Sequence, residues 1–299
     1  MRLGIDIGGT KTEAVAVDAD GRIAHQVRLP TGFGRDAVVD TAVGAITALA
    51  ELAARDVASF ESIGIGVPGA VDAHGRVVHA VNLGIDDLPL GTELEARLGR
   101  TVRVDNDVNA AAIGAFQMLG RDAEHSMAYL NLGTGLAAGL VLRGHLWRGA
   151  RGAAGEIGHI PVDPAGPECP CGQRGCLEMV ASGSAIARQW PTDDPTPASA
   201  LFAAAAAGDP AAREVRARFV ENVAAAVRVL VLTVDVDRVV IGGGLSSLGD
   251  ALRDDVVGVL RAWEAASPFL ASIELSARVD VVPAAFPAAA VGAALVGLV

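Results

Sequence analysis

Lysine is all but missing from this chain. Of its 24 basic residues only Lys11 is a lysine, and every other is an arginine. Aromatic residues are scarce as well, at 4%, which removes the stacking platforms that single-stranded nucleic acids require. A basic surface is absent: the formal net charge is −11, and a duplex-binding face is not expected. No apolar leader is seen in Met1–Lys11, which already contains Asp6, so no signal peptide is expected. The last nineteen residues, Val281–Val299, carry no charge. Pro283 and Pro287 interrupt them, leaving about twelve helical residues, or about 18 Å. A bilayer core is about 30 Å thick, so this stretch is expected to pack on a protein core instead.

What is present is unevenly placed. All three cysteines, Cys169, Cys171 and Cys176, fall within eight residues, and His159 lies ten positions upstream. Gly172 and Gly175 can take the turns that a metal knuckle needs, and three thiolates with one imidazole make a tetrahedral set suited to structural Zn²⁺. The alternative is three buried thiols with no metal. Glu156 and Glu178 flank the cluster, so the knuckle would serve as a rigid post for hydroxyl-binding groups. Thiols at metal spacing without a leader point to a reducing cytoplasm.

At 299 residues the chain can build one large domain or two lobes. Leu3–Asp6, Glu13–Val17 and Ile23–Leu29 read as strands, with a turn at Asp18–Gly21. Asp36–Arg55 reads as a helix, Ser62–Val67 as a buried strand ending at Pro68-Gly69, and Thr101–Val104 as a strand before the helix Val108–Leu119. Met127–Leu132, Gly133-Thr134-Gly135 and Leu136–Leu142 echo the opening strand, glycine turn and strand. Val239–Gly244 likewise echoes Ile63–Gly69. Two related α/β lobes are therefore expected.

A glycine turn after a strand lets backbone N–H groups approach an anion. Asp6, Gly8, Gly9, Thr10 and Lys11 supply such a turn with a hydroxyl, an ammonium and a carboxylate suited to Mg²⁺. Gly133, Thr134 and Gly135 supply a second, and Gly242, Gly243 and Gly244 a third, where a purine and its ribose could lie flat. Any one of them could be a plain tight turn; together they suggest a nucleotide triphosphate. An ammonium and a guanidinium fork are not interchangeable at a phosphate turn, which gives the lone lysine a reason beyond accident. Phosphoryl transfer to a hydroxyl also needs a carboxylate to accept the proton. Asp107 is the candidate base, with Asn106 beside it to hold the hydroxyl. Asp105 points to the other face, and the competing reading is that Asp105–Asn109 only caps the next helix.

These residues resemble the ROK family of sugar kinases and sugar-responsive repressors. The likeness is carried by Asp6–Lys11, Gly66-Val67-Pro68-Gly69, Asp105–Asn109, Gly133–Gly135, Gly155-Glu156-Ile157-Gly158-His159 and Cys169–Glu178, in the family's order. The resemblance implies an α/β, actin-like (ribonuclease H-like) fold of two lobes with ATP and a hexose in the cleft between them. The lobes would be 1–115, completed by a C-terminal helix at 286–299, and 116–285 with the zinc motif. By the same resemblance the base falls on Asp107, the sugar contacts on Gly69, Asn82, Asn106, Glu156, His159 and Glu178, and the zinc ligands on His159, Cys169, Cys171 and Cys176. His159 would use one ring nitrogen for zinc and the other for a sugar hydroxyl. Two departures stand out: Ala137 and Ala138 where many members carry glycines, and Phe286-Pro287 near the C-terminus.

The expected activity is ATP-dependent phosphorylation of the 6-hydroxyl of a hexose, glucose first, with N-acetylglucosamine, fructose and mannose as alternatives and polyphosphate as an alternative donor. A sugar-sensing repressor is the reading from another class. Repressors of this kind carry a basic segment before the Asp-x-Gly-Gly motif, and here that motif begins at residue 6. A catalytically silent sugar-binding protein is disfavoured by Asp6, Lys11 and Asp107. The expected partners are small molecules only, with no nucleic acid or membrane, and the expected assembly is a homodimer.

Overall fold

A computed structural model describes residues 1–120 and 122–297. Strands β1 (Arg2–Ile7), β2 (Lys11–Val17) and β3 (Ile23–Pro30) form an antiparallel meander. Helix α1 (Arg35–Leu52) buries Val38, Val39, Ala42, Ile46 and Leu49, the helical spacing expected of one apolar face. Strand β4 (Ile63–Val67) is buried throughout. A small sheet of β5 (Ala70–Val71), β6 (Val77–Ala80) and β7 (Ile85–Leu88) follows, then α2 (Leu90–Leu98), which Gly99 stops in the left-handed conformation at φ 65°. Strand β8 (Arg103–Asn106) runs directly into α3 (Asp107–Met118).

The first large sheet has the order β3-β2-β1-β4-β8, with β1, β4 and β8 parallel. Its register pairs Asp6 with Gly66, Gly66 with Asp105 and Val67 with Asn106. Pairing with β4 carries β8 two residues beyond the Val104 at which composition alone would end it. Asp105 and Asn106 are therefore strand residues, and Asp107 opens the helix.

Next come β9 (Met127–Leu132), β10 (Leu136–Leu142) and β11 (His145–Trp147), then helices α4 (Gly183–Gln189), α5 (Pro197–Ala206) and α6 (Pro210–Val234). Strand β12 (Arg238–Gly242), helices α7 (Asp250–Ala266) and α8 (Pro268–Ser272), strand β13 (Val279–Val281) and helix α9 (Ala288–Val296) complete the chain. The second large sheet has the order β11-β10-β9-β12-β13, again a meander followed by two parallel strands. The repeat suspected from the sequence is thus a repeat of topology, with β9 in the place of β1 and β12 in the place of β4.

By internal contacts the chain falls into two compact units. The first comprises Met1–Glu124, Gly139–Ala154 and the described residues from Pro287 onward; the second comprises His125–Ala138 and Gly155–Phe286. Within the described residues no helix is long and apolar enough to cross a membrane. The uncharged C-terminal stretch instead forms α9, which begins directly after Pro287 and lies on β1, β4 and α3 of the first unit. The expected extension of this helix to 299 reaches Leu298 and Val299, outside the described residues.

Glycine is what lets α9 lie so close. A methyl group in place of a hydrogen would fall 1.9 Å from Ala290 O at Gly4, 1.9 Å from Ala293 O at Gly64 and 1.7 Å from Ala110 O at Gly292. Backbone meets backbone there, and no side chain fits between. Gly292→Ala should therefore destabilise the first unit by about 1–3 kcal/mol, the range for overpacking a tight core. Gly258→Ala, on an open face of α7, should raise stability by up to about 1 kcal/mol. Urea unfolding midpoints of the two variants read both signs.

Candidate active site and metal centre

In the first unit the candidate residues gather where β1, β4 and β8 end. The turn after β1 is closed by the Gly8 N–H donating to Lys11 O at 3.0 Å, and Asn82 sits across from Gly9. Thr10 and Lys11 are exposed on this turn. Asn106 has a double structural role. Its Oδ1 caps α3 by accepting from the N–H of Val108 at 2.9 Å and Asn109 at 3.2 Å, while its Nδ2 donates to Gly69 O at 3.0 Å. One amide hydrogen is left to give to a ligand. Gly69 has φ 100°, and a methyl there would meet Val78 O at 2.7 Å, so only glycine fits.

Asp105 is buried and fully engaged. Its Oδ1 accepts from the Asn106 N–H at 2.8 Å and from Asn109 Nδ2 at 3.0 Å, and its Oδ2 accepts from Arg148 Nε at 3.0 Å. It is thus the structural member of the Asp-Asn-Asp run. Asn106 is the N-cap of α3, and Asp107 Oδ1 shares the Val108 N–H with it, accepting at 2.9 Å. Asp6 and Asp107 lie close enough for each to feel the other's charge. Burial first, and the Asp107 and Glu13 carboxylates next, push the Asp6 carboxyl up to about 8, with Lys11 opposing. Arg148 was not among the residues singled out from sequence; an arginine in a glycine-rich loop gives no sign of the strand it will meet.

In the second unit the run from Gly155 to His159 lies flush on β10. A methyl at Gly155 would fall 1.8 Å from Ala138 O, and one at Gly158 would fall 2.0 Å from Leu136 O. The Ala138 N–H also donates to Gly155 O at 2.8 Å, so the alanine that replaces a family glycine serves this contact through its backbone. Glu178 is held to the same strand, its Oε2 accepting from the Leu136 N–H at 2.9 Å and lying against Gly135. His159 faces two ways. Its Nδ1 is 3.7 Å from Cys169 Sγ, and its Nε2 is 3.9 Å from Glu156 Oε2.

The ligand atoms of His159, Cys169, Cys171 and Cys176 all lie within 4.8 Å of one another. A tetrahedral zinc with Zn–S bonds near 2.3 Å separates two sulfurs by about 3.8 Å. Cys171 Sγ and Cys176 Sγ are 3.7 Å apart. The donor set and its spacing fit zinc, held by Nδ1 of His159 and three thiolates. Gln173 braces the loop, donating from Nε2 to His159 O at 3.1 Å. Its N–H groups pull the exposed Cys171 thiol below its usual range, while burial pushes Cys176 up.

A cavity of about 340 Å³ in the second unit brings two of the glycine turns together. Gly133 and Thr134 line it from one side and Gly244 from another, with Ser184, Thr196 and Ser247 adding hydroxyls. Gly135 and Gly242 do not line it: Gly135 packs on Glu178, and Gly242 lies under the Tyr129 ring, where a methyl would meet Oη at 2.1 Å. Gly243, at φ 77°, donates its N–H to Tyr129 Oη at 2.9 Å. The hydroxyls were missed in the sequence, although Ser182 capping α4 and Pro197 opening α5 marked two helix starts that meet here.

The ROK family profile matches residues 2–296. The chain belongs to the ROK family. This ROK chain is 33% identical to a glucokinase of Streptomyces coelicolor over 283 residues, covering 88% of each chain. It is 36% identical to an N-acetylmannosamine kinase of Vibrio vulnificus over 257 residues, covering 81% of this chain and 82% of the other. The crystal structure of a ROK family glucokinase from Streptomyces griseus in complex with glucose and AMPPNP is 31% identical and superimposes with a TM-score of 0.83, covering 99% of each chain. The fold is the actin-like, two-lobed α/β fold of ROK sugar kinases.

Two outcomes follow from the site. Because the native Asp6 carboxyl holds a proton up to about pH 8 and an unfolded one only to 3.8, the metal-free protein should lose stability as pH rises across that window. Asp6→Asn should flatten the slope, which denaturant unfolding at a series of pH values measures. Elemental analysis should find about one zinc per chain, and Cys171→Ser should lose most of it together with a lowered melting temperature.

Proposed function

We propose that this ROK protein transfers the γ-phosphate of ATP to the 6-hydroxyl of a hexose, with glucose the first candidate. The observation that carries the reading is the meeting of Gly133, Thr134 and Gly244 in one cavity, whose glycine turns and hydroxyl-bearing side chains suit a nucleotide. It is supported by the likeness to glucokinases over most of the chain. Similarity to an N-acetylmannosamine kinase favours one alternative, a hexose bearing an acetamido group at C2.

In this reading Asp107 takes the proton of the 6-hydroxyl as the bond to phosphorus forms, and the adjacent Asn106 gives its remaining amide hydrogen to the sugar. Gly69, Asn82, Glu156, His159 Nε2 and Glu178 hold the other hydroxyls. A site of such groups rejects an analogue lacking one hydroxyl by roughly 10⁴-fold. Thr10 and Lys11, with the turn at Gly8-Gly9, receive the outer phosphates, and Asp6 is placed to hold Mg²⁺ directly or through water. Bound Mg²⁺ neutralises charge on the transferring phosphoryl group. The zinc knuckle has no chemical step; it fixes the loop that carries Glu156 and His159. The family resemblance also supports a homodimer working in the cytoplasm.

Asp107→Asn should lower kcat by roughly 10²–10⁴-fold while hexose affinity is nearly unchanged. ADP release across glucose, mannose, fructose and the two N-acetylated hexosamines, with ATP and with polyphosphate, ranks acceptor and donor. Turnover by Asp107→Asn within tenfold of the parent would exclude it as the base.

A further inference from the structure

The first unit contains a second cavity, of about 520 Å³, that none of the proposed chemistry uses. It runs along β8, the last strand of its sheet, and is walled by the loop from Arg148 to Gly152 and by Val71–Ala73. Its charge is the reverse of the chain's. The protein has 35 acidic against 24 basic residues, yet this cavity collects Arg103, Arg148 and Arg151 against Asp72 and Asp105.

Both aspartates already accept hydrogen bonds from their own surroundings. Asp105 accepts from Arg148 and from Asn109, and the Asp72 Oδ1 accepts from the N–H of His74 at 2.8 Å and of Arg76 at 3.0 Å. Arg148 is therefore committed to Asp105. The guanidinium groups of Arg103 and Arg151 have no ion-pair or hydrogen-bond partner among the described residues. The same holds for the backbone N–H groups of Ala150, Arg151 and Gly152, on a loop where Gly149 and Gly152 take φ 74° and 75°. Two unpaired guanidinium forks and a turn of unpaired amides are the donors that a phosphate group accepts from.

We propose that this cavity is a binding site for a small phosphate-bearing anion, either free phosphate or a sugar phosphate, held by Arg103 and Arg151. The inference does not rest on the kinase reading, because neither Asp107 nor any residue of the three glycine turns lines this cavity.

Isothermal titration of the full chain, with hexose and a non-hydrolysable ATP analogue saturating and ionic strength fixed, tests it with inorganic phosphate and with glucose 6-phosphate. One saturable site is expected, weakened about tenfold or more in Arg103→Ala/Arg151→Ala and left unchanged in Arg22→Ala. Equal affinity for both probes assigns free phosphate, and tighter binding of the sugar ester assigns an organic phosphate; either supports the site. Arg151→Glu alone should also weaken binding, which covers the case of a double variant that folds poorly. No saturation by about 10 mM, or equal binding by the variants, would overturn the proposal.

Discussion

Contact of backbone on backbone, licensed by glycine, is the constraint on which both units depend. In the first, Gly4, Gly64 and Gly292 bring α9 onto β1, β4 and α3 with no side chain between. In the second, Gly155 and Gly158 seat the loop before the cysteines on the carbonyls of Ala138 and Leu136. A residue with Cβ at any of these places would have to push a main chain, and a main chain yields less than a side chain does. The glycines thus convert a sheet edge into a fixed reference. From that reference hang Glu156 and His159, and through Leu136 also Glu178.

The strand-to-helix corner at 105–107 divides three adjacent polar residues among three tasks. Asp105 anchors, Asn106 caps, and Asp107 stands in the first turn of α3 with its carboxylate near Asp6. The division follows from burial and hydrogen bonding. Asp105 faces inward on β8, where a lone carboxylate would be costly, and Arg148 and Asn109 offset that cost. Asn106 takes two of the orphan N–H groups of α3, those of Val108 and Asn109, and Asp107 shares the first of them. Two carboxylates left close together cannot both ionise readily, so a cation or a proton is drawn to Asp6.

How much of this was legible in the sequence depended on whether a signal was local. The meander strands, α1 and the knuckle could be read because alternation, helical spacing and cysteine clustering lie within a few residues. The repeat between 127–142 and the opening strands was legible for the same reason, and the strand orders match it. The register of β8 was not, because pairing with Gly64–Val67 sets where it ends. Helix α7 was not expected, although its buried Leu252, Val256 and Leu260 recur every four residues. Arg148 and the hydroxyls of Ser184 and Ser247 were beyond reach in principle. Their roles arise from loops meeting in space, and no short pattern encodes such a meeting.

The same distinction bears on the substrate. The residues proposed to handle phosphate sit in turns whose shape glycine dictates, so that chemistry would be written into short motifs shared across kinases of different sugars. In the proposed reading, discrimination at C2 depends instead on room around Gly69, where Val78 and Ala80 already crowd the turn and Asn106 holds its carbonyl. That room is set by the packing of β5 and β6 against a left-handed glycine, a tertiary property that sequences about one-third identical need not share. Reaction class is therefore carried by the residues themselves, and sugar identity by the space they leave.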